Sequence, residues 1–141
     1  MKPNKKLLGI LMLICVPLAF FYAYNEYHRK PADLSSVKPA AVTNAASLVA
    51  LYENDEQKAD GMYLGKVIDI TGVISEINNQ QDTLVNIMLG KNNNLHRVSC
   101  LLNGKYMAKV KNLKRGDSIT IRGLCTGYLM DVELNRCVLI D

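Results

Sequence analysis

The apolar positions of the chain run first as an unbroken stretch, then at helical spacing, then in alternation. Residues 7–24 carry no charged side chain, close to the ~20 apolar residues that cross a bilayer as a helix. Pro17 lies inside this run, which membrane helices tolerate. Phe20, Phe21, Tyr22, Tyr24 and Tyr27 crowd its far end like an interfacial aromatic belt. Residues 25–44 lose the run and hold Pro31, Pro39, Ser35 and Ser36, a composition that predicts a flexible tether. From Asn44, a side chain suited to cap a helix, Leu48, Tyr52, Asp55, Ala59 and Met62 recur at steps of three and four. That spacing predicts one helix, apolar on one face except at Asp55.

Alternation follows. Val67, Ile68, Ile70, Val73 and Ile74 predict a strand whose apolar side changes at Gly72, the mark of a bulge or bend. Residues 84–89 predict a second strand with Val85, Ile87 and Leu89 facing the core, and residues 96–102 a third with Val98, Cys100 and Leu102 inward. Residues 105–115 read as a short helix or ordered loop. Gly116-Asp117 is a turn signal, and two more strands follow, one through Ile119, Ile121, Gly123 and Cys125 and one through Val132 and Leu134 to Ile140. Five strands with an insertion after the third predict a mainly β domain: a five-stranded OB-fold barrel with an N-terminal helix, preceded by a single transmembrane helix. The boundaries are 1–6 for a cytoplasmic basic segment, 7–24 for the anchor, 25–44 for the tether and 45–141 for the barrel.

Charge changes the picture at the N-terminus. Six Lys or Arg and two acids precede residue 45, while eleven of each follow it. The basic character therefore belongs to the anchor and tether, and the domain is neutral. That argues against nucleic acid as partner, because displacing counterions needs a net basic face. Lys2, Lys5 and Lys6 before the apolar run favour a cytoplasmic N-terminus and place the C-terminal domain in the periplasm, single-pass at the inner membrane; Arg29 and Lys30 beyond it weaken that vote. A cleaved signal peptide is the rival, but Ala19 and Ala23 have Pro17 and Phe21 at the −3 position, where small residues are needed. Lipidation at Cys15 is the third option, opposed by the bulky Ile14 before it.

Cys100, Cys125 and Cys137 each share a strand side with apolar residues. A hairpin centred near Asp131 sets Cys125 opposite Cys137, so that pair is the first candidate disulfide in an oxidising compartment. Cys100 is the alternative partner, and three small buried apolar residues the reading without a bridge. The wide spacings do not suit zinc, and no metal or other cofactor is indicated.

Two candidate sites remain. The usual ligand face of an OB-fold, on its second and third strands, offers Asn86, Met88, Arg97 and Ser99. The basic segment offers Lys105, Lys109, Lys111, Lys114 and Arg115 as an anion site. The domain has four aromatic residues, Tyr52, Tyr63, Tyr106 and Tyr128, too few to promise a base-stacking groove. No nucleophile–base pair or paired carboxylates are visible, so an enzyme is not expected.

The run Asn54-Asp-Glu56, Ala59, Tyr63, Gly65-Lys66, Ile68 and Thr71-Gly72-Val73 resembles the start of the bacterial tRNA-anti-like OB-fold family. Val98-Ser-Cys100 resembles its middle. Leu113-Lys-Arg-Gly-Asp117, Thr120-Ile-Arg-Gly123, Cys125-Thr-Gly127, Asp131-Val-Glu-Leu134 and Cys137-Val-Leu139 resemble its end. The resemblance covers residues 45–141 and implies an OB-fold on an exported or membrane-anchored protein; it transfers no binding residues. The expected function is a membrane-anchored binding module for a protein, peptide or envelope saccharide. The alternative is a nucleic-acid-binding domain that uses residues 105–115.

Overall fold

The computed structural model describes residues 15–24, 33–80, 83–91 and 95–140. Residues 15–24 are helical with exposed side chains. The rest of the expected 7–24 span lies outside the described residues, and among those described no helix is long and apolar enough to cross a membrane. The chain from Asp33 onward is a compact unit of its own. Its buried residues run from Leu34 to Val138, so its core is built from its own residues.

A 3-10 turn, Leu34–Ser36, opens the unit and is capped by the Asp33 side chain accepting from Ser35 N. Strand β1, Ala41–Asn44, follows. Two helices come next, α1 (Ala45–Asn54) and α2 (Glu56–Tyr63). Strands β2 (Val67–Gln80), β3 (Leu84–Leu89) and β4 (Val98–Asn103) lead to a 3-10 turn at Gly104–Tyr106 and the single-turn helix α3 (Met107–Val110). Strands β5 (Ser118–Tyr128) and β6 (Val132–Ile140) complete the chain. The sheet order is β1-β2-β3-β4-β6-β5, with β5 also paired to β2. Strands β2 to β6 thus close a five-stranded barrel, with β6 between β4 and β5 in the OB manner.

Alternation places the core as expected. Val85, Ile87, Leu89, Val98, Cys100, Leu102, Ile121 and Cys125 are fully buried. Strand β2 carries the closure. Its first half pairs with β5 and its second half with β3. The switch occurs at a register shift between Ile74 and Glu76, not at Gly72 as the apolar pattern suggested. Gly72 lies in regular register opposite Ile119. It is needed for proximity: a Cβ there would stand 3.0 Å from Cβ of both Ala45 and Leu89, so its bareness lets α1 and β3 close on β2.

The single helix expected over residues 44–63 is two. Asn44 caps α1, accepting from Ser47 N at 2.8 Å. Asp55, the one polar member of the expected apolar face, caps α2 by accepting from Lys58 N at 3.0 Å. A carboxylate at that point satisfies orphan amides of a new first turn, so the chain restarts there. Leu48, Val49 and Tyr52 from α1 and Ala59 and Tyr63 from α2 are buried in the core.

Residues 33–44 were expected in the tether and belong to the fold. Leu34 is only 4% exposed, a burial that contributes ~1.5–3 kcal/mol. Ala40 N donates to Val67 O at 2.7 Å, and β1 pairs in parallel with β2. Arg122 fastens this segment. Its guanidinium meets Asp69 on the neighbouring strand through two hydrogen bonds of 2.6 and 2.9 Å, and donates to the Val37 and Ser35 carbonyls at 2.7 and 3.2 Å. The ion pair faces outward from the barrel, but residues 33–40 help to cover it, leaving the Arg122 and Asp69 side chains 14% and 11% exposed.

The hairpin does not set Cys125 opposite Cys137. It turns about Met130, with Tyr128 opposite Val132, one residue earlier than the centre at Asp131 that would align Cys125 with Cys137. The partner of Cys125 becomes Leu134, and the Cys137 Sγ lies beside Gly123, 2.6 Å from where a Cβ would be. Cys100, Cys125 and Cys137 are free buried thiols. Burial pushes the Cys137 thiol well above its ordinary value, and the adjoining Cys100 thiol adds to the shift.

Two substitutions at glycine should move stability in opposite directions. Gly123→Ala drives a methyl group into Cys137 and Leu134, and should cost ~1–3 kcal/mol by overpacking. Gly61→Ala, in α2 with nothing within 4 Å of the new Cβ, should stabilise by ~0.5–1 kcal/mol. Urea unfolding of residues 33–141 measures both as midpoint shifts at constant m-value; an unchanged midpoint for Gly123→Ala would contradict the packing described. Arg122→Ala leaves the Asp69 carboxylate without its cation and should lower the urea midpoint. Hydrogen exchange should also quicken at Val37 and Ala40, and retained protection there would show that Arg122 does not fasten the segment.

Candidate functional site

The outer face of β3 and β4 presents the side chains that alternation turns away from the core. Met88 and Ser99 are cross-strand partners, and Asn86 pairs with Leu101 beside them. Ser99 Oγ donates to Asn86 Oδ1 at 3.1 Å, and the Asn86 amide nitrogen stands 3.7 Å from Met88 Sδ. These three expected ligand-face residues therefore form one contiguous polar strip. Met88 itself is only 5% exposed, with its backbone carbonyl accepting from Ser75 Oγ at 3.0 Å. It supports the strip from beneath and offers a ligand little area. Asn86 and Ser99 are half-buried and accessible.

Arg97 flanks the strip at the start of β4. Its guanidinium donates to Glu76 Oε2 at 3.2 Å. Hydrogen bonding by Asn78, then by Arg97, holds the Glu76 carboxyl below its ordinary value, and the positive charge of Arg115 contributes. Glu76 thus lies in the field of both arginines. The turn before β5 brings this about, since Gly116 N donates to Ile74 O and Ile74 N to Asp117 O, at 2.8 and 2.9 Å. Arg115, from the basic segment, is thus close enough for its charge to act on the carboxylate that Arg97 engages.

The rest of the basic segment disperses. Lys105 pairs with Asp33 and stands over the Tyr106 ring, 5.0 Å from its centroid. Lys109 lines an open cleft of ≈ 520 Å³ with Thr71, Asn112 and Thr120. Lys111, Lys114 and Arg115 are exposed, and the Lys114 backbone amide donates to Asp117. Spacing that looks like one cluster in sequence is spread over a 3-10 turn, one turn of helix and a loop, so these cations do not converge on a single anion.

The loops at one end of the face are pinned together. His96 Nδ1 donates to the Met130 carbonyl at 2.5 Å, Arg97 N to Asp131 Oδ1 at 2.7 Å, and Val132 N to Arg97 O at 2.9 Å. The His96 ring meets Tyr128 edge-on at 5.7 Å, and Tyr128 stacks on buried Tyr52 at 5.4 Å. Tyr52 OH in turn donates to Asp60 Oδ1 at 3.2 Å and lies 3.5 Å from Cys125 Sγ; burial raises its pKa well above the ordinary phenol value. His96 is thus the clasp between two loops. Sequence reasoning missed this contact, although Leu129-Met130 at the tip of a tight hairpin, where polar residues and glycine usually sit, is an anomaly legible in the chain. Among the described residues no three His, Cys, Asp or Glu side chains gather as a metal site would require.

A closed five-stranded barrel with a helix after its third barrel strand defines an OB-fold domain, whose outer β3–β4 face is the place to look for a ligand. The sequence profile of the tRNA_anti-like family matches residues 1–139, and the chain belongs to that family. A lipoprotein of Klebsiella pneumoniae, conjectured to bind nucleic acid, superposes with a TM-score of 0.57 at 20% identity, over 79% of this chain and 100% of that one. Two structures of Entamoeba histolytica asparaginyl-tRNA synthetase also match, one of them with asparaginyl-adenylate. Their TM-scores are 0.41 and 0.46 at 22% and 18% identity, over 54% and 73% of this chain. The match takes in only 21% and 24% of those synthetase chains. No curated protein matches the sequence.

The pairing of Lys105 with Asp33 has a titration signature. The carboxyl is lowered from 3.8 to about 2, first by its hydrogen bond from Lys105 and then by the Ser35 amide. A depressed carboxylate stabilises the fold above its unfolded value and loses that contribution as pH falls through the folded one. The clasp on the 3-10 turn should therefore weaken between pH 3.8 and about 2. A carboxyl-carbon NMR titration should place the Asp33 midpoint near the lower figure in the native chain and move it up in Lys105→Ala; equal midpoints would show that the ion pair does not form in solution.

Proposed function

We propose that this protein is a non-enzymatic OB-fold binding module, held at the inner membrane through residues 7–24, that presents its barrel on the periplasmic side. Its ligand is a protein, a peptide or an envelope saccharide, bound on the outer face of β3 and β4. Asn86, Ser99 and Arg97 make the direct contacts and Arg115 contributes charge. The carrying observation is the chemistry of that face. It offers an amide, a hydroxyl and guanidinium groups, which recognise carbonyls, hydroxyls and carboxylates by hydrogen bonding. It offers no aromatic ring: Tyr52 and Tyr63 are buried, Tyr106 lies under Lys105, and Tyr128 stacks on Tyr52 against His96. Single-stranded nucleic acid bound by OB-folds relies on stacked rings and a basic groove, and here both are lacking on the face. The resemblance in fold to a lipoprotein supports an envelope location for this chain.

Nucleic acid is the second reading, favoured by the family and by what is conjectured of the Klebsiella lipoprotein. Salt separates the two. Residues 33–141 should retain a peptide or saccharide fraction of envelope extract with little dependence on salt, and Asn86→Ala with Arg97→Ala should cut retention about tenfold, the loss of ~1.4 kcal/mol. Fluorescence anisotropy with single-stranded DNA and RNA should show no binding at low salt. Tight binding whose logarithm falls linearly with the logarithm of salt concentration would replace the first reading with the second.

A further inference from the structure

The strongest unexplained feature is the pinned tip. Leu95, Leu129 and Met130 are 87%, 81% and 79% exposed. They stand on the two loops that His96 clasps. Single exposed apolar residues are ordinary, but large ones gathered on a fixed surface mark an interaction site. The His96, Arg97 and Val132 hydrogen bonds already given tie the two loops together, so the backbone carrying these side chains is held before any contact.

We propose that this tip docks a protein segment carrying apolar and basic side chains. Charge selects that partner. The Tyr52–Tyr128 stack brings the end of α1 to the tip, and with it the exposed carboxylates of Glu53 and Glu56. Asp131 lies in the hairpin turn itself, and exposed Glu133 sits opposite Gly127 and Ser99. The cations nearby are exposed Lys91 and half-buried Arg97, and Arg97 is engaged by Glu76. Three apolar side chains rimmed by an excess of carboxylates complement an apolar knob flanked by Lys or Arg. The same rim opposes an anionic bilayer, which attracts basic segments. It also opposes a second copy, since a two-fold contact would set like patches face to face. The tip is continuous with the β3–β4 face through Arg97, so one partner can cover both. The inference rests on the binding-module reading, but Leu129 and Met130 lie outside the face argued there.

The test uses residues 33–141 and two synthetic amphipathic peptides, one of leucine and lysine, the other with glutamate for lysine. The first should shift the NMR signals of Leu95, Leu129 and Met130 and leave those of Asn86 unmoved. Leu129→Ser and Met130→Ser should each weaken it about tenfold, with the Tyr128 ring signals unchanged as evidence of an intact fold. Asn112→Ala, at an exposed residue outside both the face and the tip, should leave it unaffected, and tip signals that shift while those of Asn86 stay still tell failure of the face from failure of the tip. Equal binding of the glutamate peptide, or binding indifferent to both serine variants, would overturn the proposal. So would a dimer in sedimentation, or binding to vesicles of phosphatidylethanolamine and phosphatidylglycerol, that Leu129→Ser abolishes.

Discussion

One strand has to serve two neighbours. β2 leaves its pairing with β5 and takes up pairing with β3 within the span of Ile74 to Glu76, and the barrel exists only because it does. A strand can turn that corner only where a residue drops out of the ladder, which is what a bulge supplies. Ahead of the corner, Gly72 allows α1 to rest its Ala45 on the strand while Leu89 approaches from β3. Helix, bend and closure are therefore a single packing problem solved within a few residues. The parallel contact of β4 with β6 follows, since the last strand has nowhere else to complete the ring.

Most of the barrel could be read from the chain because its strands are buried on one side only. A pattern of period two survives wherever one face is dry and the other wet, as in Val85, Ile87 and Leu89 or Val98, Cys100 and Leu102. The errors came where a local signal competes with tertiary context. Asp55 fits a helical face by spacing, yet its carboxylate does more as a cap. Residues 33–44 have the composition of a linker, and it takes the pocket that receives Leu34, the pairing of β1 with β2 and the carbonyl contacts of Arg122 to turn them into structure. The cysteine alignment failed by one residue in the hairpin centre, because the turn position of Met130 defies the usual preference for small or polar residues.

The candidate face was legible by position and not by partnership. Alternation is enough to say that Asn86, Ser99 and Arg97 point away from the core. It cannot say that Glu76 will stand beside Arg97, or that the same carboxylate will feel the charge of Arg115, some forty residues downstream. Nor can it show that Met88, nominally outward, is sealed by its neighbours. Proximity in sequence misled in the opposite sense for Lys105 to Arg115, where changes of backbone direction at every few residues fan the side chains apart. Charges act through distance in space, and a loop segment fixes that distance poorly.

Closing the barrel has a further consequence. Strands β2 to β6 spend their backbone amides and carbonyls on one another, so among the described residues the outer edge of β1 is the one that lacks a strand partner. Recognition on the barrel wall must then be written in side chains. Those side chains stand on a lattice whose spacing is fixed by the ring and whose stability resides on its other surface. A wall residue that carries no structural contact of its own beyond its neighbour on the face, such as Asn86 or Ser99, can be exchanged without disturbing the interior, and a barrel of this kind becomes a fixed keyboard on which different partners are spelled by different keys.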